Sequence, residues 1–192
     1  MRKSILERDT KETQVKAALN LDQKGDCKLN TGVGFFDHML ELFAFRAKIS
    51  LDVSCRGDLH IDAHHTVEDV GITLGQAITA ALGDKDGINR YGQASIPMDE
   101  SLASCVLDIS GRPYLVFDAD FPIGRVGDFD TELAEEFFRA LAHHAGMTIH
   151  IKLAYGRNTH HMLEAIFKAF GAAFAQAIAI TGEGVQSSKG VL

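Results

Sequence analysis

His64-His65-Thr66-Val67-Glu68 and His160-His161-Met162-Leu163-Glu164 are one signature written twice in a chain of 192 residues. Apolar residues follow each copy at helical spacing, to Leu82 in the first case and Ile180 in the second, with Gly83 and Gly182 as stops. Both copies therefore open long helices. On a helix, positions i and i+4 differ by about 40° in azimuth, so His64 lies over Glu68 and His160 over Glu164. The neighbours His65 and His161 are turned about 100° away, which makes it hard for one metal ion to collect both members of a pair. Each pair is expected to split between two ions. A lone HHxxE is more often a solvated helix start; its recurrence at the same place in a repeated pattern points to ligation.

The repeat extends outward from these helices. Strands are predicted over residues 2–9 and 13–22, a turn at Gly25-Asp26, a helix over 35–45, a strand over 48–54 and the long helix over 64–82. The order returns with strands over 102–109 and 114–119, a helix over 131–145, a strand over 148–153 and a helix over 160–180. The chain thus reads as α+β, a single domain 1–192 made of duplicated ββαβα half-domains, about 1–92 and 93–192, divided near Gly87 to Ser95. The long helices are apolar around most of their circumference (Ile166, Phe167, Phe170, Phe174, Ile178), so they should pack together with a sheet from each half outside them. One half alone would leave that helical face wet.

Hydrophobic residues make up 46% and charged residues 23%, the balance of an ordinary globular protein. Cys27, Cys55 and Cys105 are scattered and odd in number, which argues against a disulfide framework and for a reducing compartment, the cytoplasm. No apolar run approaches a membrane span, and a net charge of −7 without a basic stripe argues against nucleic acid as a partner.

Of nine histidines, six form adjacent pairs. His38, inside Phe36-Asp37-His38-Met39-Leu40, stands 26 residues before His64 and is the best further ligand. Glu136 stands 24 residues before His160, at a similar place in its own helix. His143 lies two turns along that helix, roughly 10 Å away, and is a poor substitute. Imidazole and carboxylate donors suit Mn, Fe, Co, Ni or Zn without choosing among them.

Further motifs run in order along the chain: Thr10-Lys11-Glu12-Thr13, the stretch His60 to Asp69, Gly87-Ile88-Asn89-Arg90-Tyr91-Gly92, Ser110-Gly111-Arg112-Pro113-Tyr114, the helix from His160 to Phe170, and the tail Ser187-Ser188-Lys189-Gly190-Val191-Leu192. With these and the segment around His38, the chain resembles imidazoleglycerol-phosphate dehydratases over nearly its whole length. The resemblance implies central helices packed between two mixed four-stranded sheets, as in the second domain of ribosomal protein S5. It implies manganese-dependent dehydration of imidazole glycerol phosphate to imidazole acetol phosphate in histidine biosynthesis, with two Mn²⁺ per active site. Ligand roles would fall to His38, His64, His65, Glu68, His160, His161 and Glu164. Glu136 stands where many relatives have a histidine, and is expected to ligate in its place.

In the same reading, Glu12, Glu68 and Glu164 are catalytic, and Glu12 is the acid/base group. Glu12, His38, His64, Arg90, Arg112, His160, Lys168, Ser187, Ser188 and Lys189 bind the small phosphorylated substrate. Arginine suits that task because its planar fork makes paired hydrogen bonds to phosphate. Gly32-Val33-Gly34 lacks the further glycine and lysine of a phosphate loop. The resemblance also implies a shell-like homo-oligomer, a 24-mer built from trimers, with sites between subunits. Three readings compete, one of them an interaction module whose histidine pairs are incidental and whose assembly would survive metal removal. Another metal-dependent lyase on the scaffold would not need the set Arg90, Arg112, Ser188 and Lys189. A non-catalytic metal-binding shell leaves Glu12 without a role.

Overall fold

The computed structural model describes every residue except Val191, which belongs to the matching tail and lies outside the described residues. The first half runs β1 (Lys3–Asp9), β2 (Thr13–Asn20), β3 (Lys28–Asn30), α1 (Gly34–Ala47), β4 (Ser50–Gly57) and α2 (His64–Leu82). The second runs β5 (Tyr91–Met98), β6 (Ser101–Asp108), β7 (Tyr114–Asp118), a small hairpin β8 (Arg125–Val126) and β9 (Phe129–Asp130), α3 (Leu133–Ala145), β10 (Thr148–Tyr155) and α4 (Thr159–Ala177). The sheets repeat one topology, β1-β2-β4-β3 and β5-β6-β10-β7. In each, the last-named strand is parallel to its neighbour and the other pairings are antiparallel. The expected α+β architecture of helices between two mixed four-stranded sheets is what forms.

Four strands enter that the sequence pattern did not reveal, the two of the β8–β9 hairpin and one in each main sheet. β3 is three residues long, and β5 crosses the stretch expected to be the boundary between halves. Each half therefore opens with three strands. The strand expected at 102–109 is the counterpart of β2, and β5 is the counterpart of β1.

Strand alternation supplies the sheets' inner faces. On β2, Thr13, Val15, Ala17 and Leu19 point inward and are buried. α2 lies on the first sheet and packs on α3; α4 lies on the second sheet and packs on α1. Each half thus covers the long helix of the other. Phe137 stacks on Phe167 at 5.6 Å, and Phe170 meets Phe43 at 5.0 Å and Phe138 at 5.2 Å, so aromatic rings from both halves share one core. Each fully buried Phe stabilises by about 1.5–3 kcal/mol relative to exposure. Close approach of α4 and α1 needs a glycine: a Cβ on Gly171 would lie 2.6 Å from the Phe43 carbonyl oxygen.

Candidate metal and substrate site

The two signatures start their helices as expected, and each start is pinned. The Asn158 side chain accepts from the His160 and His161 amides at 3.0 and 3.4 Å, a helix N-cap. Asp62 accepts from the His64 amide at 2.8 Å. The start of α1 is fixed from the other half, where Asp128 accepts from the amides of Gly34 at 2.7 Å and Phe35 at 3.1 Å. This contact ties the start of the helix that carries His38 to the second half.

Among the described residues, one triad of candidate ligands converges: His38, His160 and Glu164, with donor atoms all within 4.8 Å of one another. His38 Nε2 and His160 Nε2 lie 3.0 and 3.1 Å from the same Glu164 oxygen, and Lys168 Nζ donates to the other oxygen at 2.5 Å. Burial alone pushes the Glu164 carboxyl up, but hydrogen bonds from Lys168, His38 and His160 overcome it and bring it down to about 2. Two imidazole nitrogens and an ionised carboxylate fit a borderline or hard divalent ion.

The first half is looser. His64 Nε2 stands 4.0 Å from Glu68, both half-exposed. Glu136 does not complete a triad with them; its carboxylate faces Arg139 at 3.6 Å along its own helix.

His65 and His161 turn another way, as their azimuth requires. His65 Nδ1 pairs with Asp58 at 2.9 Å, and His161 Nδ1 with Glu100 at 2.8 Å. These bonds raise both imidazole pKa values and hold both carboxyls below the usual range. The Nε2 edges face Glu12 at 4.0 Å and Asp99 at 3.9 Å. Asp58, Asp99 and Glu100 were not expected here. Glu100 immediately precedes β6 as Glu12 immediately precedes β2, a correspondence visible only once β5 is recognised. A cleft of about 770 Å³ opens beside His160 and His161, lined also by Glu100, Arg125 and Arg157.

The expected phosphate residues divide. Lys168, paired with Glu164, sits beside the candidate metal triad. Arg90 grips Asp108 with two bonds, at 2.6 and 3.0 Å, and donates to the Gln186 carbonyl at 2.8 Å, tying down the tail that carries Ser187, Ser188 and Lys189. Arg112 is exposed, 3.8 Å from Asp108. Lys85, half-buried and unforeseen, joins this cluster; burial and then Arg90 lower its pKa.

A family model described as imidazoleglycerol-phosphate dehydratase matches residues 31–174, the span from before His38 to beyond Lys168. The chain belongs to the imidazoleglycerol-phosphate dehydratase family. It is 56% identical to the imidazoleglycerol-phosphate dehydratase of Streptococcus mutans and 56% identical to that of Listeria monocytogenes serotype 4b, over the whole of both chains in each case. The crystal structure of the Staphylococcus aureus imidazoleglycerol-phosphate dehydratase matches with a TM-score of 0.84 at 47% identity, covering 93% of this chain and all of that one. The Pyrococcus furiosus enzyme, solved in complex with (S)-C348, matches with a TM-score of 0.86 at 38% identity, covering 97% of this chain and all of that one. Membership of the imidazoleglycerol-phosphate dehydratases makes the chain a hydro-lyase. No helix among the described residues is long and apolar enough to cross a membrane.

Proposed function

We propose that this chain removes water from imidazole glycerol phosphate to give imidazole acetol phosphate in histidine biosynthesis, in the cytoplasm, with two manganese ions per site. The observation that carries the reading is the convergence of His38, His160 and Glu164 at the head of a helix whose signature recurs in the other half. His64, His65, Glu68, Glu136 and His161 would complete the ligand set. A bound divalent ion supplies Lewis-acid polarisation of the substrate's imidazole ring.

The remaining work falls to side chains. The reaction breaks a carbon–hydrogen bond of low acidity and a carbon–oxygen bond with a poor leaving group. Glu12 takes the carbon-bound proton, hydroxide departs with its bonding pair, and the resulting enol tautomerises to the ketone. The half-exposed Glu12 carboxylate, 4.0 Å from His65, pairs with no Lys or Arg among the described residues and can hold that proton. Arg112, Ser187, Ser188 and Lys189 bind the phosphate, with Arg90 fixing the tail. Asp58 and Glu100 each occupy a histidine Nδ1, leaving Nε2 as the ligating atom.

One geometric fact bears on assembly. The Arg90 amide donates to the Ala177 carbonyl at the far end of α4, 17 residues beyond His160. At helical rise that places the phosphate residues about 25 Å from the metal triad of the same copy. An imidazole ring, three carbons and a phosphate cannot bridge that span. This supports a homo-oligomer in which one copy's metal residues meet another's phosphate residues, as in the trimer-built 24-mer expected from the resemblance.

The test is turnover of imidazole glycerol phosphate by chelator-stripped protein, with and without added Mn²⁺. Metal-dependent formation of the acetol phosphate is the expected result. Folded protein that rebinds Mn²⁺ and forms no product would overturn the reading.

A further inference from the structure

The hairpin that carries Glu12 is fastened to α2 by one buried residue that the mechanism above does not use. Asp69 follows His65 by four positions, so the two share a helical face, the face over which this hairpin lies. Its carboxylate is buried, and one oxygen accepts a hydrogen bond from the Thr13 hydroxyl. The other accepts from Arg8 Nε, on β1, at 3.0 Å. Thr13 is itself buried and closes the turn: its amide donates to Thr10 Oγ1 at 2.9 Å, and its carbonyl accepts from the Thr10 amide at 2.8 Å. The Glu12 amide donates to the same Thr10 hydroxyl at 3.1 Å. The backbone of Glu12 is thus locked within the turn, and the turn is locked to the helix through Thr13 and Asp69.

The other half lacks this device. Ala165 stands where the repeat would place Asp69. Ser101, the counterpart of Thr13, turns its hydroxyl to Glu100 at 3.0 Å. That hairpin is held instead by the Glu100 carboxylate, which accepts from the Arg157 and Asn158 amides at 3.1 and 2.7 Å. A buried carboxylate is costly to keep, and among the described residues one fastens a hairpin to its long helix only in the half whose hairpin bears the acid/base group.

We infer that Asp69, acting through Thr13, is the positioning residue that sets Glu12 over His65; this rests on the reading of Glu12 as the proton-transferring group. Thr13→Val keeps the β-branched shape and deletes the hydroxyl, while Thr13→Ser keeps the hydroxyl. In the manganese-loaded assembly, Thr13→Val is expected to lower kcat about tenfold with KM and bound metal within about twofold of wild type. Amide hydrogen exchange over residues 10–13 should accelerate, and Thr13→Ser should restore both kcat and protection. Thr13→Ala, which adds no bulk, carries the same expectations if Thr13→Val does not assemble. Wild-type kcat in the hydroxyl-deleted variant, beside an inactive Glu12→Gln, overturns the inference. So does a loss of kcat that only follows the loss of folded, metal-loaded protein. An active Glu12→Gln sinks the reading of Glu12 instead, and exchange over 10–13 still reports whether the clamp holds the turn.

Discussion

His65 Nδ1 lies 2.9 Å from an Asp58 carboxylate oxygen. An ionised carboxylate only accepts, so Nδ1 carries the proton and the lone pair is left on Nε2. Glu100 does the same for His161. The second histidine of each HHxxE signature thereby keeps its lone pair on Nε2 through a partner outside its own helix.

Asp58→Ala is therefore expected to weaken metal binding about 10- to 100-fold, because the ring loses both its orientation and its fixed tautomer. The Asp58 bond also raises the His65 pKa above its ordinary 6.5, so the variant's His65 should titrate lower. Metal needs the neutral ring, so wild-type affinity should fall as pH drops through that raised value. Calorimetric metal titration and NMR titration of the histidines check both points. Unchanged affinity in Asp58→Ala would remove the positioning role.

Glu164 carries an acid-stability signature in the metal-free protein. Its carboxyl sits at about 2, against 4.5 for the ordinary group. A depressed folded-state pKa contributes stability that is complete above 4.5 and is lost as pH falls toward 2. The contribution is on the order of 3 kcal/mol. Chelator-treated Glu164→Gln should begin less stable near neutrality and show a flatter decline across that window. Parallel denaturant-midpoint curves for the two proteins would contradict this.

The ends of α1 and α3 offer a built-in comparison. Both close in the left-handed region, Gly146 at φ 61° after α3 and Lys48 at φ 58° after α1. A side chain there costs about 1 kcal/mol that glycine avoids. Lys48→Gly should therefore raise Tm, offset in part by the added freedom of the unfolded chain. A fall in Tm would mean that the lysine side chain contributes more by packing than its backbone costs.

The long helices and both HHxxE starts were legible because helix periodicity and i,i+4 spacing are local. β5 was not. Its inward positions begin with the small residues Gly92 and Ala94, and only then come Ile96 and Met98 with Pro97 between them, so the alternation is weak where the sheet runs close to α4. Gly92 sits against the Ala173 carbonyl, where any Cβ would collide. The convergence of His38 on His160 and Glu164 depends on helices exchanged between the halves, which spacing along the chain does not encode. Asp58 and Glu100 lie just outside strands, where only tertiary packing decides what a carboxylate meets.

The separation along α4 leads to the most discriminating prediction. The metal triad stands at its head and the Arg90–Arg112 cluster at its foot, about 25 Å apart. If a working site draws these sets from different copies, His160→Ala and Arg112→Ala should each be nearly inactive alone. Arg112 suits the test because it is exposed and its loss leaves the Arg90–Asp108 pair intact. Dissociated, mixed in equal amounts and reassembled with Mn²⁺, the two variants should recover about a quarter of wild-type turnover, since half of the copies offer an intact triad and half an intact phosphate cluster. If each site were built within one copy, every copy would carry one defect and mixing would restore nothing.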